Sequence, residues 1–468
     1  MAHRLSIYIA ACLCLALSFA CDSDDGDKQS TDQPNEKQDA STGKPDDAPA
    51  TEWITMGYDT GSTYFNKAEK KLTRQNASKL EVAYTVDMGT NVYGAPLQVG
   101  DRIYANAGNS VRALDAKTGN EIWNVSPGGT SGSMTYFDGK LYLNATGSKL
   151  IALNASDGSQ AWVASYHATA ADGTSSPLVA GDVVLVGGSN GGIELGTGMF
   201  RGFLSAVDRN TGEVRWSTFT VPEGSKGASI WSSPSADVEG GVAYAGTGNN
   251  YGPPATDSSD CIIQFDLKSG EIKYKYQATK DDAFSLGGNS GPDYDFGANP
   301  VLYEAMVNGE MLKLAAAGDK GGAVHAIRRD TGAEIWSRKL GMGSADGTRG
   351  VFTNSTWSGK NMLFALNEAG TATLFALDGG TGDVAWMRKL NGPVWGRTAV
   401  ANGVGFVGAG TSMEVFDVET GELIKAFPSM GGTLAGTITV ANGRVAYGEG
   451  MSWISGTAGK TLTVLALP

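Results

Sequence analysis

The middle of the chain carries five spaced side chains able to bind or react. They are Glu194 in Gly192-Ile193-Glu194-Leu195-Gly196, Trp231 in Ala228-Ser229-Ile230-Trp231, Asn249 in Gly246-Thr247-Gly248-Asn249, Asp295 in Tyr294-Asp295-Phe296-Gly297 and Lys320 in Gly318-Asp319-Lys320-Gly321-Gly322. Carboxylate and amide oxygens suit hard cations, and a carboxylate can also take up a proton. An ammonium can stabilise developing negative charge, and an indole can stack on a flat ring. Each residue also has an ordinary reading. Glu194 in a Gly-rich loop reads as solvated, Asn249-Asn250 as a turn, and Lys320 as a loop residue with a solvated stem. Trp231 reads equally as packing between repeats, and Asp281, Asp282 and Asp293 rival Asp295. His167 and His325 stand alone and far apart, as turn or strand polar residues rather than metal ligands. Chemistry depends on a scaffold that brings such residues together.

That scaffold is written as a repeat. Seven times a strand-like run ends in Ala-(Leu/Val/Ile)-Asp-x-x-Thr-Gly-x-x-x-Trp or a close variant, clearest at Ala113-Leu114-Asp115-Ala116-Lys117-Thr118-Gly119 followed by Trp123. The other copies centre on Gly158, Gly212, Gly270, Gly332, Gly382 and Gly421. Asn-Gly and Asp-Gly dipeptides at 138–139, 402–403 and 442–443 supply the positive φ angles of two-residue hairpins. Four short antiparallel strands per repeat make a propeller blade, since one repeat cannot bury its own apolar face. The Asp and Thr close each turn, and the Trp is expected between adjacent blades. Residues 462–467 read as a third strand with no fourth after it, and residues 80–86 as a fourth strand with no blade before it. Joined, they make an eighth blade, so the expectation is an all-β, eight-bladed propeller over residues 53–468. Spacing between the repeat glycines widens in the middle blades, which therefore carry insertions.

Bulk composition agrees. The 66 glycines in 468 residues mean many tight turns, and a net charge of −13 argues against nucleic acid as a partner. Residues 1–20 read as an export signal, with a short polar start and an apolar run from Leu5 to Ala20. Cys21 follows Ala20, as at a lipoprotein cleavage site where the cysteine becomes the lipidated N-terminus; an ordinary secretory signal is the alternative. Residues 21–52, with ten acidic and three basic side chains after Cys21, read as a solvated tether. No later apolar run is long enough to cross a bilayer, so any membrane link would be the lipid. Cys261 alone remains in the body, and no Cys-x-x-Cys-His haem motif occurs.

The Trp53-Ile54-Thr55-Met56-Gly57-Tyr58-Asp59 opening and the Thr-Gly…Trp repeats resemble the pyrroloquinoline-quinone (PQQ) propeller family of quinoprotein alcohol dehydrogenases. The likeness is nearest to the polyvinyl-alcohol type, through Gly291-Pro292-Asp293-Tyr294-Asp295-Phe296-Gly297 and Pro393-Val394-Trp395-Gly396. The resemblance implies that Glu194, Asn249 and Asp295 hold Ca2+ beside PQQ, that Trp231 is the floor beneath the quinone, and that Lys320 faces its oxygens. It implies Asp295 as catalytic base, displaced by an inserted loop from its place after Tyr276-Gln277-Ala278-Thr279. Electrons would pass to a separate acceptor, because the chain lacks a haem motif. The family pattern of two adjacent cysteines and a nearby Arg over the quinone is missing from Gly128-Gly129-Thr130-Ser131-Gly132-Ser133. Two functions follow. One is a lipid-anchored alcohol-oxidising quinoprotein facing the periplasm or the cell surface, with a small or polymeric alcohol as substrate. The other is a non-catalytic propeller presenting loops to envelope proteins, as a lipid-anchored assembly scaffold of the same family does.

Overall fold

The computed structural model describes residues 52–129, 132–195, 198–288, 291–344, 348–352, 355–450 and 456–468. Cys21, the leader, nearly all of the tether, and Thr130 and Ser131 lie outside these residues. The described strands form eight antiparallel sheets of at least four strands each. We number them as blades one to eight, beginning at Leu97–Val99, Thr135–Phe137, Leu178–Ala180, Ser235–Asp237, Val301–Val307, Thr356–Trp357, Ala399–Ala401 and Thr439–Ala441. First strands of neighbouring blades adjoin one another, so they line the hub.

Burial follows position in the blade. Second strands such as Val183–Gly188 and Val404–Ala409 are buried on both faces because blades pack face to face. Fourth strands such as Val214–Phe219 alternate exposed and half-buried positions at the rim. In blade eight the fourth strand is Glu81–Asp87, paired antiparallel with Thr461–Ala466, so residues from both ends of the sequence share one sheet.

The repeat motif works twice. Asp115 Oδ1 accepts the backbone N–H groups of Lys117 and Thr118 and the Thr118 hydroxyl, which closes the turn at Gly119, φ 76°. The same glycine also receives the ring of the preceding blade. A Cβ at Gly158 would lie 2.8 Å from Trp123, at Gly382 2.7 Å from Trp336, and at Gly421 2.6 Å from Trp386. Trp123, Trp216, Trp336 and Trp386 each donate Nε1–H to a carbonyl of the next blade at 3.0–3.1 Å. Tyr84 takes this place against Gly119, which marks Glu81–Asp87 as a true fourth strand.

The four-strand expectation needs one amendment. Phe65–Asn66 adds a short parallel strand to Ala399–Ala401, giving blade seven five strands. It belongs to a segment that runs around the hub. Trp53 bonds to Gln98, Ile54 to Tyr136, Thr60 to Ala236, Gly61 to Leu302, Thr63 to Trp357 and Tyr64 to Val400, and Asn66 Nδ2 donates to Val440 O. These partners lie in the first strands of blades one, two and four to eight. Residues 53–66 thereby satisfy backbone groups on the inner strands that no neighbouring strand pairs.

Candidate active site

The segments that lead into the eight first strands converge on one cavity of about 430 Å³. Glu194, Trp231, Asn249, Asp295 and Lys320 all line it, although they come from three blades and their insertions. Met56, in the segment that circles the hub, lies within sulfur hydrogen-bond distance of the hydroxyls of Ser176 and Ser233.

Glu194 sits on a one-turn helix, Gly191–Leu195, not in the solvated loop of its ordinary reading, and is 6% exposed. Asp172 positions that turn. Its Oδ2 accepts the Gly191 N–H at 3.1 Å, while its Oδ1 takes the hydroxyls of Ser189 and Thr174. Glu194 Oε1 accepts Asn249 Nδ2–H at 3.0 Å and the Leu286 N–H at 3.2 Å. A carboxylate only accepts, so this bond fixes the Asn249 amide and turns its Oδ1 away. Among the described residues that buried Oδ1 has no partner, as an acceptor awaiting a ligand would have none. Burial raises the Glu194 pKa and the Asn249 hydrogen bond opposes the rise.

Asp295 and Lys320 form the second half of the site. Lys320 Nζ stands 2.6 Å from Asp295 Oδ1 and 3.0 Å from Asp293 Oδ1, all three side chains being almost wholly buried. Trp231 donates Nε1–H to Asp295 Oδ2 at 2.8 Å. Burial raises the Asp295 pKa against the pull of Lys320, and the nearby Asp293 charge adds to the rise. Lys320 is raised from its ordinary value, because the two carboxylates outweigh its desolvation. The turn holding Lys320 is tightly confined. A Cβ at Gly350 would lie 1.9 Å from the Lys320 carbonyl oxygen, and Asp319 Oδ2 pairs with His325 Nε2 at 2.9 Å. His325 thus braces the turn as a strand residue, and His167 accepts the Thr169 N–H while stacking on Phe203.

Trp231 is not one of the inter-blade rings. It packs over glycine backbone: a Cβ at Gly297 would come 2.3 Å from its Cη2, and one at Gly248 2.9 Å from its Cδ1. Among the rivals to Asp295, Asp281 is exposed, and neither Asp282 nor Asp293 lines the cavity. Asp295 is the carboxylate presented there, yet its two oxygens are already engaged by Lys320 and Trp231. The direct contact among the three expected metal ligands is between Glu194 and Asn249. The inserted loop is more than a spacer, since Ser285 and Leu286 wrap Glu194. Sequence reasoning missed Asp172, Tyr251, Phe352, Trp395 and Arg397, which also line the cavity. None of them falls within the repeat frame.

The chain matches the family profile described as outer membrane protein assembly factor BamB over residues 19–285, 201–357 and 320–462. It is 26% identical over 437 residues to a polyvinylalcohol dehydrogenase of Sphingopyxis sp. (strain 113P3), covering 79% of this chain and 65% of that protein. To a polyvinylalcohol dehydrogenase of Pseudomonas sp it is 26% identical over 314 residues, 58% of this chain and 49% of that protein. The chain therefore spans about half to two thirds of the length of these relatives. The crystal structure of quinohemoprotein alcohol dehydrogenase from Comamonas testosteroni superposes with a TM-score of 0.77 at 19% identity, over 89% of this chain and 80% of that one, which establishes the shared fold. With the profile covering most of its length, the chain belongs to the PQQ-repeat propeller family described as outer membrane protein assembly factor BamB.

Proposed function

We propose that this protein is an exported quinoprotein that oxidises an alcohol, small or polymeric, using PQQ and Ca2+ and passing electrons to a separate acceptor. The observation that carries this is the Glu194–Asn249 pair with its orphaned Asn249 Oδ1, in one cavity with the Trp231–Asp295–Lys320 cluster. Likeness to polyvinylalcohol dehydrogenases supports the same reading.

The donor set fits both groups. Glu194 and Asn249 offer the oxygens a hard cation takes, with Asp295 close by in the same cavity, and Trp231 offers a flat face. When bound, the quinone supplies a hydride acceptor whose carbonyl the ion polarises. Trp231 orients the ring plane and, through its Nε1–H, fixes the Asp295 carboxylate. Asp295 takes the hydroxyl proton of the alcohol at Oδ2, where a neutral indole N–H occupies one lone-pair direction. Oδ1 is the weaker base because it is ion-paired with Lys320 at 2.6 Å. Lys320 remains protonated between Asp293 and Asp295 and offers positive charge to oxygens that become anionic. Burial of this cluster keeps water from the reacting atoms.

Reconstitution with PQQ and Ca2+, followed by alcohol-dependent reduction of a dye, tests the proposal. Turnover that requires both additions is expected, and quinone binding without turnover on any alcohol would remove the catalytic part. The Ala20-Cys21 junction supports lipid anchoring in the bacterial envelope, and Cys21→Ala is expected to shift the protein from the membrane to the soluble fraction. Among the described residues no helix is long and apolar enough to cross a membrane. The family description favours a second reading, a non-catalytic assembly scaffold. Such a protein has no need of buried, unsatisfied polar atoms at its hub.

A further inference from the structure

The cavity has a second wall with unanswered donors. Trp395 and Arg397, on the segment leading into blade seven, both line it. Among the described residues, Trp395 Nε1 and Arg397 Nε each find no hydrogen-bond partner, and both atoms are buried. Two buried N–H donors left unpaired in a single wall are costly, and they point to a ligand with acceptor oxygens.

Charge narrows the ligand further. Lys320 and Arg397 are the cations among the described residues lining the cavity, and Lys320 is held by Asp293 and Asp295. Among the described residues, Arg397 has no carboxylate within ion-pairing distance. Its guanidinium is therefore free for an anion, and its planar fork matches a carboxylate. The segment is also pinned in place. Arg397 bridges to Thr437 at the entry to blade eight, and a Cβ at Gly396 would lie 2.2 Å from the Gly436 carbonyl oxygen. On the other side, the Trp395 ring meets Phe352 edge-on at 5.8 Å, and Phe352 in turn faces Lys320. The backbone that carries the guanidinium is thus held in blade seven, and in the same cavity Glu194 and Asp172 would repel an anionic substituent placed beside them.

We propose that Arg397 anchors a carboxylate of the quinone cofactor, with the Trp395 indole N–H as a second donor. The inference rests on the quinoprotein reading, and it assigns the blade-seven wall to the cofactor rather than to the alcohol. PQQ is a tricyclic o-quinone tricarboxylate, so a cavity rich in acidic side chains needs a cation of its own on the side away from the metal ligands.

The test is equilibrium binding, with no turnover required. PQQ and its trimethyl ester are titrated into the full chain at saturating Ca2+, following quenching of tryptophan fluorescence. Wild type is expected to prefer the acid, and Arg397→Gln to weaken PQQ about ten- to a hundredfold while changing the ester little, so that the preference collapses. Arg397→Lys keeps the charge without the fork and is expected to fall between the two; it carries the test if the Gln variant does not fold. Unchanged PQQ affinity in either variant overturns the inference, as does equal loss of acid and ester. Unchanged PQQ binding with a raised KM for an alcohol would give the guanidinium to the substrate, and also overturns it. Failure of wild type to bind PQQ at all is a different result, which removes the quinoprotein reading itself.

Discussion

Two populations of aspartate divide the molecule. In the repeat turns Asp115 and Asp266 are held below their usual pKa, Asp115 chiefly by the Thr118 hydroxyl and Asp266 chiefly by the Ser269 backbone N–H. Asp208 is pulled down to about 2, first by its bond to Arg215 and then by its turn amides. At and behind the hub the sign reverses. Burial pushes Asp282 up to about 6 and raises Asp260 and Asp295, with the nearby Asp293 charge adding to the rise in each case. Among the described residues, both Asp260 oxygens and Asp282 Oδ2 lack hydrogen-bond partners. The repeat frame is electrostatically complete within each turn of a few residues. The middle blades instead hold charge that the protein alone does not satisfy, the pattern expected where folding has been compromised for chemistry.

The strongest way to break this comparison is to neutralise one member of each population. Asp295→Asn is expected to lower turnover of the reconstituted protein about a thousandfold while quinone binding persists. Asp266→Asn should leave turnover unchanged, and equal loss in the two variants, read as kcat, would contradict the division. Next in size is a pair of glycines. Gly382→Ala places a methyl against Trp336 at φ 72° and should cost about 2–4 kcal/mol of stability, read from denaturant midpoints. Gly297→Ala displaces Trp231 from its bed and should weaken PQQ binding more than it lowers the melting temperature.

The smallest expected effects are on pH dependence, and their signs are opposite. Asp282 has a folded pKa of about 6, above its unfolded value, so it penalises folding increasingly as pH rises from about 4 to about 6. Asp282→Asn is therefore expected to stabilise the protein at pH 7 and to do little near pH 4. Asp208 has a depressed folded pKa, so its contribution is present above about 4 and is lost as pH falls toward 2. Asp208→Asn should destabilise at pH 7, by about 1 kcal/mol for a part-exposed pair, and progressively less in acid. Thermal melts of both variants across pH 2–7 without added Ca2+ check both signs, Asp282→Asn between pH 4 and 7 and Asp208→Asn between pH 4 and 2.

How much was legible follows the same division. The Asp-x-x-Thr-Gly turn closes within four residues, so its role could be read from the string, and the unfinished sheets at 80–86 and 462–467 announced their pairing. Tyr84 in the place of a Trp was not foreseen, because the ring it replaces is recognised only by the glycine beneath it. The site residues could be named through a resemblance, but their arrangement could not. Glu194 meets Leu286 across 92 residues, and the turn that carries it is held by Asp172, which accepts the Gly191 N–H from 19 residues upstream. Those long-range contacts turn a Gly-rich stretch without periodicity into a helical turn. The circuit of residues 53–66 was hidden for the same reason, since each residue bonds to a different blade. Arg397 carried no local signal, being identified by its place on the cavity wall and by an Nε without a hydrogen-bond partner among the described residues.

Calorimetric titration of PQQ into the purified chain, with and without Ca2+, tests whether the middle blades build a Ca2+-dependent quinone site. The account predicts saturable binding of one quinone per chain that requires the ion and is weakened in Glu194→Gln. No binding at high micromolar PQQ, with or without Ca2+, would contradict it and leave the hub without a cofactor.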